Sequence, residues 1–138
     1  MTMKTYHGSC HCGDCRFTAA FDLDKGTGRC NCTICVKQRM WHVILKDGDF
    51  ALLSDPGLLS EYTWIARGQS APRFHYFFCK RCGNGIYAWG DLGRGKFYGI
   101  HVLTLDDLDP DELAAAPLKY EDGLHDRWDR IPDDIRLL

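Results

Sequence analysis

Residues 30–38 read CNCTICVKQ, and the spacing of their thiols governs how the rest of the chain is understood. Cys30, Cys32 and Cys35 stand at i, i+2 and i+5, a tripod of sulfurs rather than a square. Three thiolates can hold a zinc ion and leave the fourth tetrahedral position to a water or a substrate, which separates a chemically available metal from a sealed structural one. VKQRM follows with good helix formers and neither Gly nor Pro, so the tripod is predicted to run into a short helix with Thr33 near its start. The free N–H groups of that helix start would face the sulfurs of Cys32 and Cys35 and lower both thiol pKa values.

Working outward, GSCHCGDCRF at 8–17 places Cys10 and Cys12 two apart, so that in extended backbone both sulfurs emerge on one face. FFCKRCGNGIY at 77–87 contains C-x-x-C-G, a tight turn in which the sulfurs of Cys79 and Cys82 converge. The N-terminal residues MTMKTYHGSC lack a charged head, an apolar core and a cleavage site, so a reducing, cytoplasmic location is expected. Eight cysteines there are better explained by metal than by disulfides. Cys10, Cys12, Cys79 and Cys82 are expected to form a closed structural zinc site, worth about 10 kcal/mol to folding. Cys30, Cys32 and Cys35 remain for a second zinc. Cys15 either closes that tripod as a fourth ligand or packs as a small apolar residue at the start of its strand; the second reading is preferred.

The chain has 138 residues, 45% of them hydrophobic and 26% charged, the size and balance of one ordinary globular domain. No apolar run approaches a membrane span. A net charge of −2 without a basic cluster gives no case for nucleic acid. Alternation predicts a strand over 15–23 with Phe17, Ala19, Phe21 and Leu23 on one side, and turn material at 24–28. Further strands are expected at 41–45, 50–53, 58–66, 72–79, 86–89 and 96–103, with an exposed loop at 67–72. One or two helical turns are expected in LDDLDPDELAAAP, whose acidic residues precede a Leu and Ala run. The fold class is thus mainly β: a single domain over 1–138, its motif-bearing body at about 7–103. The C-terminal wrap spans about 104–138, and its last part, 118–138, is expected to lie over that body without regular structure.

Taken together, GSCHCGDCRF, CNCTIC and FFCKRCGNGIY resemble the glutathione-dependent formaldehyde-activating enzyme family, which includes centromere protein V-type domains. DGLHDRW near the end is similar to its bacterial members. The resemblance implies small antiparallel sheets, a structural zinc on Cys10, Cys12, Cys79 and Cys82, and a labile zinc on Cys30, Cys32 and Cys35, through which these three would be catalytic. It implies a carbon–sulfur lyase of the S-(hydroxymethyl)glutathione synthase type, adding glutathione reversibly to formaldehyde. Two departures stand out: Asn31 replaces a frequent His, and Cys15 a usual apolar residue. Three thiolates make zinc a weak generator of hydroxide and a good partner for another sulfur, which fits thiol chemistry. His42, His75, His101, Tyr76 and Tyr98 are candidate acids, and Lys37, Arg39 and Arg73 candidate contacts for an anionic thiol. The alternative is a zinc-stabilised binding module without turnover, recognising a protein or ligand through exposed aromatic residues such as Trp41, Trp64, Trp89 and Trp128.

Overall fold

The computed structural model describes residues 2–66 and 68–138. Alternating side chains build the first hairpin, in which β1 (Lys4–Ser9) pairs antiparallel with β2 (Arg16–Phe21) from Lys4↔Phe21 to Ser9↔Arg16. Phe17, Ala19 and Phe21 are buried as the alternation requires. The strand ends earlier than expected, because the Asp22 side chain accepts from the Asp24 N–H and winds Leu23–Lys25 into a 3-10 turn. The presumed turn at 24–28 ends in β3 (Thr27–Cys30), which delivers the first tripod thiol to α1 (Thr33–Gln38). Then come β4 (His42–Lys46), β5 (Phe50–Leu52), β6 (Leu59–Thr63), β7 (Phe74–Cys79), β8 (Gly85–Asp91) and β9 (Lys96–His101). Residues 68–72 lie exposed, while Arg67 of that expected loop falls outside the described residues.

The helical turns expected ahead of Pro117 form, and the segment after them has more order than its sequence promises. Asp109 caps α2 (Pro110–Ala115) by accepting from the Asp111 N–H, and acidic Asp111 and Glu112 sit in the first turn, where the helix dipole favours them. Then β10 (Leu118–Glu121) pairs parallel with β3, from Leu118↔Thr27 to Glu121↔Cys30. The outcome is a three-stranded antiparallel sheet in the order β1-β2-β5 and a seven-stranded mixed sheet in the order β10-β3-β4-β9-β8-β7-β6.

The core lies between the two sheets. Phe50 on β5 stacks on Phe17 of its own sheet at 5.5 Å and on Tyr98 of the other at 4.7 Å, with Tyr87 at 4.4 Å. Cross-strand pairing puts Val43, Ile100, Tyr87 and Phe77 on this same core side. Residues of opposite parity therefore face away from the core: His42, His101 and Tyr76. The α1 region packs on that outer face, where Met40 Cε lies 3.6 Å from the position a Cβ on Gly99 would take. Among the described residues no helix is long and apolar enough to cross a membrane.

Phe17 is 1% exposed and joins the two layers through Phe50. Phe17→Ala is expected to cost about 3–5 kcal/mol, by lost transfer energy and a residual cavity, measured by urea unfolding of the metal-loaded protein.

Candidate metal centre

Two turns carry the first group of thiols. Gly13 N–H donates to the Cys10 carbonyl and Gly83 N–H to that of Cys79, which closes the chain tightly around each pair. The sulfurs of Cys10 and Cys12 are 3.5 Å apart and those of Cys12 and Cys79 3.6 Å, and with Cys82 all four lie within 4.8 Å of one another. A tetrahedral zinc with bonds of about 2.3 Å separates its sulfurs by about 3.8 Å, so this donor set fits such an ion. Cys15 is fully buried beside this group: its N–H donates to Cys10 Sγ at 3.3 Å and its thiol to the Leu58 carbonyl at 3.7 Å. Burial above all pushes that thiol up to about 12. Cys15 therefore behaves as the packed residue preferred above and does not close the tripod.

The tripod stands at the junction of β3 and α1. Cys30 ends the strand, Cys32 precedes the helix in extended conformation and Cys35 lies within it, their sulfurs again within 4.8 Å of one another. No further His, Cys, Asp or Glu joins them among the described residues. Hydrogen bonds from Cys30 and Cys35, followed by the N–H groups of Cys35 and Ile34 at the helix start, pull the Cys32 thiol down to about 3. The expectation for Cys35 is corrected. Its bonds to the sulfurs of Cys30 and Cys32, together with burial, push its pKa up.

The C-terminal segment closes one side of the tripod. Asn31 N–H donates to the Glu121 carbonyl, extending the parallel pairing by one bond. Asn31 Nδ2 donates to Asp122 Oδ1 at 2.8 Å, and Leu124 N–H donates to Asn31 Oδ1 at 2.9 Å. Asp122 is fully buried and also accepts from His125 Nδ1 at 2.8 Å and from Arg127 Nε at 2.8 Å. Burial would raise its pKa, but these bonds from Asn31, His125 and Arg127 outweigh it and bring the carboxyl to about 2. Gly123 lies so close that a Cβ there would meet Cys30 Sγ at 2.5 Å and the Trp128 ring at 2.9 Å. Asp122, Gly123, His125 and Arg127 received no role from the sequence, although all four sit in DGLHDRW; the shared motif was the available signal.

Of the five candidate acids, three lie on the outer face with the tripod. His42 Nε2 is 2.9 Å from Glu121 Oε1, directly above Gly28, where a Cβ would fall within 2.7 Å of both. Tyr76 OH is 2.6 Å from His101 Nε2. Burial, then the nearby His42, lowers His101 to about 4, so it is neutral near pH 7 and accepts the tyrosine's proton. Burial and the charge of Cys35 push Tyr76 up. His75 and Tyr98 lie on the core side, His75 paired with Glu61 and stacked on Trp89, and Tyr98 against Phe50. Arg39 is exposed beside the tripod and donates to the Leu137 carbonyl at 3.1 Å; Lys37 is exposed on α1, and Arg73 lies exposed ahead of β7.

Residues 5–120 match the family described as glutathione-dependent formaldehyde-activating enzyme. Among solved structures, the chain is similar to a crystal structure of a Rhodobacter sphaeroides structural-genomics protein, with 23% identity and a TM-score of 0.63. That likeness, over 81% of this chain and 98% of the other, is one of fold.

A methyl group at Gly123 has no room without moving Cys30 Sγ or Trp128. Gly123→Ala is expected to weaken metal uptake by Cys30, Cys32 and Cys35 and to leave that of the four-thiol group unchanged, measured by zinc titration of both proteins. A second consequence concerns pH. The unfolded chain protonates His101 near its ordinary pKa of 6.5, whereas the folded chain does so only near 4, so this residue's contribution is complete above 6.5 and is lost as pH falls towards 4. Its full extent is about 3 kcal/mol. Urea unfolding against pH should show that part of the slope in the wild type and not in His101→Gln.

Proposed function

Because the chain belongs to the glutathione-dependent formaldehyde-activating enzyme family, we propose that it is a carbon–sulfur lyase that reversibly joins a small thiol such as glutathione to a small aldehyde such as formaldehyde. The observation that carries this reading is the open tripod: three convergent thiols, with Cys15 held away by Cys10 and Leu58. In this reading Cys10, Cys12, Cys79 and Cys82 hold a structural zinc, and Cys30, Cys32 and Cys35 hold a second, exchangeable one. Zinc on three thiolates favours a fourth sulfur ligand and strips its proton at neutral pH.

The chain's own residues supply the rest. Hydrogen bonds from Cys30 and Cys35, supported by the N–H groups of the helix start, keep Cys32 ionised and so keep the tripod ready to receive a cation. Gly123 and Trp128 form a wall on one side, which leaves the other sides for the thiol and the carbonyl. Lys37 and Arg39, both exposed and close to the tripod in sequence, offer charge-assisted contacts to carboxylates of an anionic thiol. When the sulfur attacks the carbonyl carbon, the oxygen takes the π electron pair and needs a proton; in the reverse direction the same proton must be removed.

The exposure of the four tryptophans favours this reading over the binding-module alternative, while the stacked Tyr62, Trp64 and Phe74 at β6 and β7 are the aromatic surface that alternative would use. Trp41, Trp64 and Trp89 are half-buried, and Trp128, 49% exposed, stands at the tripod rather than away from it.

The addition proceeds unaided in water, so the test is a comparison of rates. Exchange between formaldehyde and a panel of thiols, followed by NMR, is expected to exceed the uncatalysed rate with the zinc-loaded wild type, by about 100-fold or more for the preferred thiol. Cys32→Ser, or prior removal of the metal with a chelator, should return it to the uncatalysed rate. A wild-type rate equal to the uncatalysed one for every thiol would sink the lyase reading for this substrate class.

A further inference from the structure

The chemistry just described needs a group that gives and takes a proton at the carbonyl oxygen, and the buried residues near the tripod are poorly suited to it. Tyr76 is 2% exposed, and its hydroxyl is pinned between His101 Nε2 and Gly85, where a Cβ would fall 1.9 Å from the oxygen. His101 carries no proton near pH 7, because burial holds it at about 4. His42 is buried and committed to Glu121.

One imidazole on this side of the molecule remains both oriented and open to solvent. We propose that His125, oriented by the buried carboxylate of Asp122, is the catalytic acid and base of the tripod site, exchanging its Nε2 proton with the substrate. This rests on the lyase reading above.

The geometry supports it at three points. Asp122, fully buried, accepts from His125 Nδ1 at 2.8 Å; this fixes the tautomer with hydrogen on Nδ1 and leaves Nε2 as the working nitrogen. The His125 side chain is 56% exposed, so that nitrogen can meet an incoming molecule. Its backbone is anchored at the tripod: Leu124 N–H bonds Asn31, and Gly123 touches Cys30, only two residues away and thus within about 8 Å of His125 between Cα atoms. A carboxylate that orients an exposed imidazole at a reacting site is the arrangement expected of a proton-transfer residue.

The charged groups around His125 are few. Asp122 faces its Nδ1, and the Arg127 guanidinium, shared with Asp122, lies 3.4 Å from the same nitrogen. Asp133 reaches Arg127 from the following segment at 4.0 Å, while Asp126 turns to Trp128 Nε1. From the β3–α1 side, Cys30 and Cys32 lie against the neighbouring Gly123. In the forward direction the thiol sulfur forms the C–S bond and the carbonyl π pair moves to oxygen. The Nε2–H of the imidazolium passes its proton to that oxygen, and the neutral nitrogen then accepts the proton released by the next thiol. No oxidation or reduction occurs.

The test uses zinc-loaded full-length protein, with glutathione and formaldehyde as probes. In His125→Gln, kcat for exchange is expected to fall about 100-fold with KM for glutathione unchanged, and the pH–rate profile should flatten. Added imidazole should restore His125→Gly and leave the wild type unchanged. Variants that keep the wild-type rate and pH profile would overturn the proposal. Nitrogen NMR of the His125 ring gives a readout independent of turnover: Nδ1 should carry the hydrogen, and the Nε2 resonance should shift when glutathione is added. If the wild type shows no catalysis with any thiol, the lyase reading falls by itself. In that case an Nε2 resonance that does not move with thiol overturns the placement of His125 as well, and one that moves upholds it.

Discussion

Cys10, Cys12, Cys79 and Cys82 bring four sulfurs within 4.8 Å of one another, a distance at which thiolates repel strongly unless a cation lies among them. Two of the four follow the first strand of the small sheet, while Cys79 ends β7 and Cys82 lies in the turn that leads to β8, so whatever relieves that repulsion also fastens one sheet to the other. The aromatic contacts between the layers then follow, with Phe50 filling the space between Phe17, Tyr87 and Tyr98. Because one face of the seven-stranded sheet is consumed by this core, α1 with its thiols can pack only on the other. Separation of the two thiol groups is thus a consequence of layering, and Cys15, held in the first group by Cys10 and Leu58, cannot reach the second.

On the outer face a different constraint takes over. Asp122 is a fully buried carboxylate, and a buried charge is costly unless donors surround it. Asn31, His125 and Arg127 supply them, and the bond to Asn31 fixes the C-terminal segment on the short connection between Cys30 and Cys32. The Asn31 amide donates to Asp122 through nitrogen and accepts from the Leu124 N–H through oxygen, both from the end of one short side chain. The departure at Asn31 therefore has a structural reason in this chain: it joins the tripod to the segment that walls it.

How much of this was legible in the sequence depended on the range of the interactions involved. Local patterns were readable: the alternation Phe17, Ala19, Phe21 gave β2, VKQRM gave the helix after the tripod, and the acids before Leu113 marked α2. Ligand grouping was readable too, because C-x-C and C-x-x-C each bring two sulfurs to one side whatever the rest of the chain does. What was lost involved partners far apart. The strands β3 and β10 are four residues each, one of them TGRC and neither strongly patterned, and they exist because they pair with each other across some ninety positions. The Asn31–Asp122 bond spans the same gap, so nothing near Asn31 announced it. Cys35 was misread for another reason. A helix start lowers the pKa of any thiol it faces, but three mutually bonded sulfurs share their protons, and only one of them can be the easiest to ionise.

The outer face therefore holds two kinds of polar group with opposite electrostatic character. Beneath the tripod, Tyr76 and His101 are buried and held uncharged, which suits a surface next to several thiolates, where any further negative charge would be opposed and a proton could not easily reach water. At its side, Asp122 is kept ionised by three donors, one of which is exposed. A site that must pass protons between solvent and substrate needs the second kind at its mouth and the first kind at its floor, since a floor that titrated would compete for the same proton. Asp122 and His125 stand on a C-terminal segment tied by Asn31 to the connection between Cys30 and Cys32, apart from the strands that carry Tyr76 and His101.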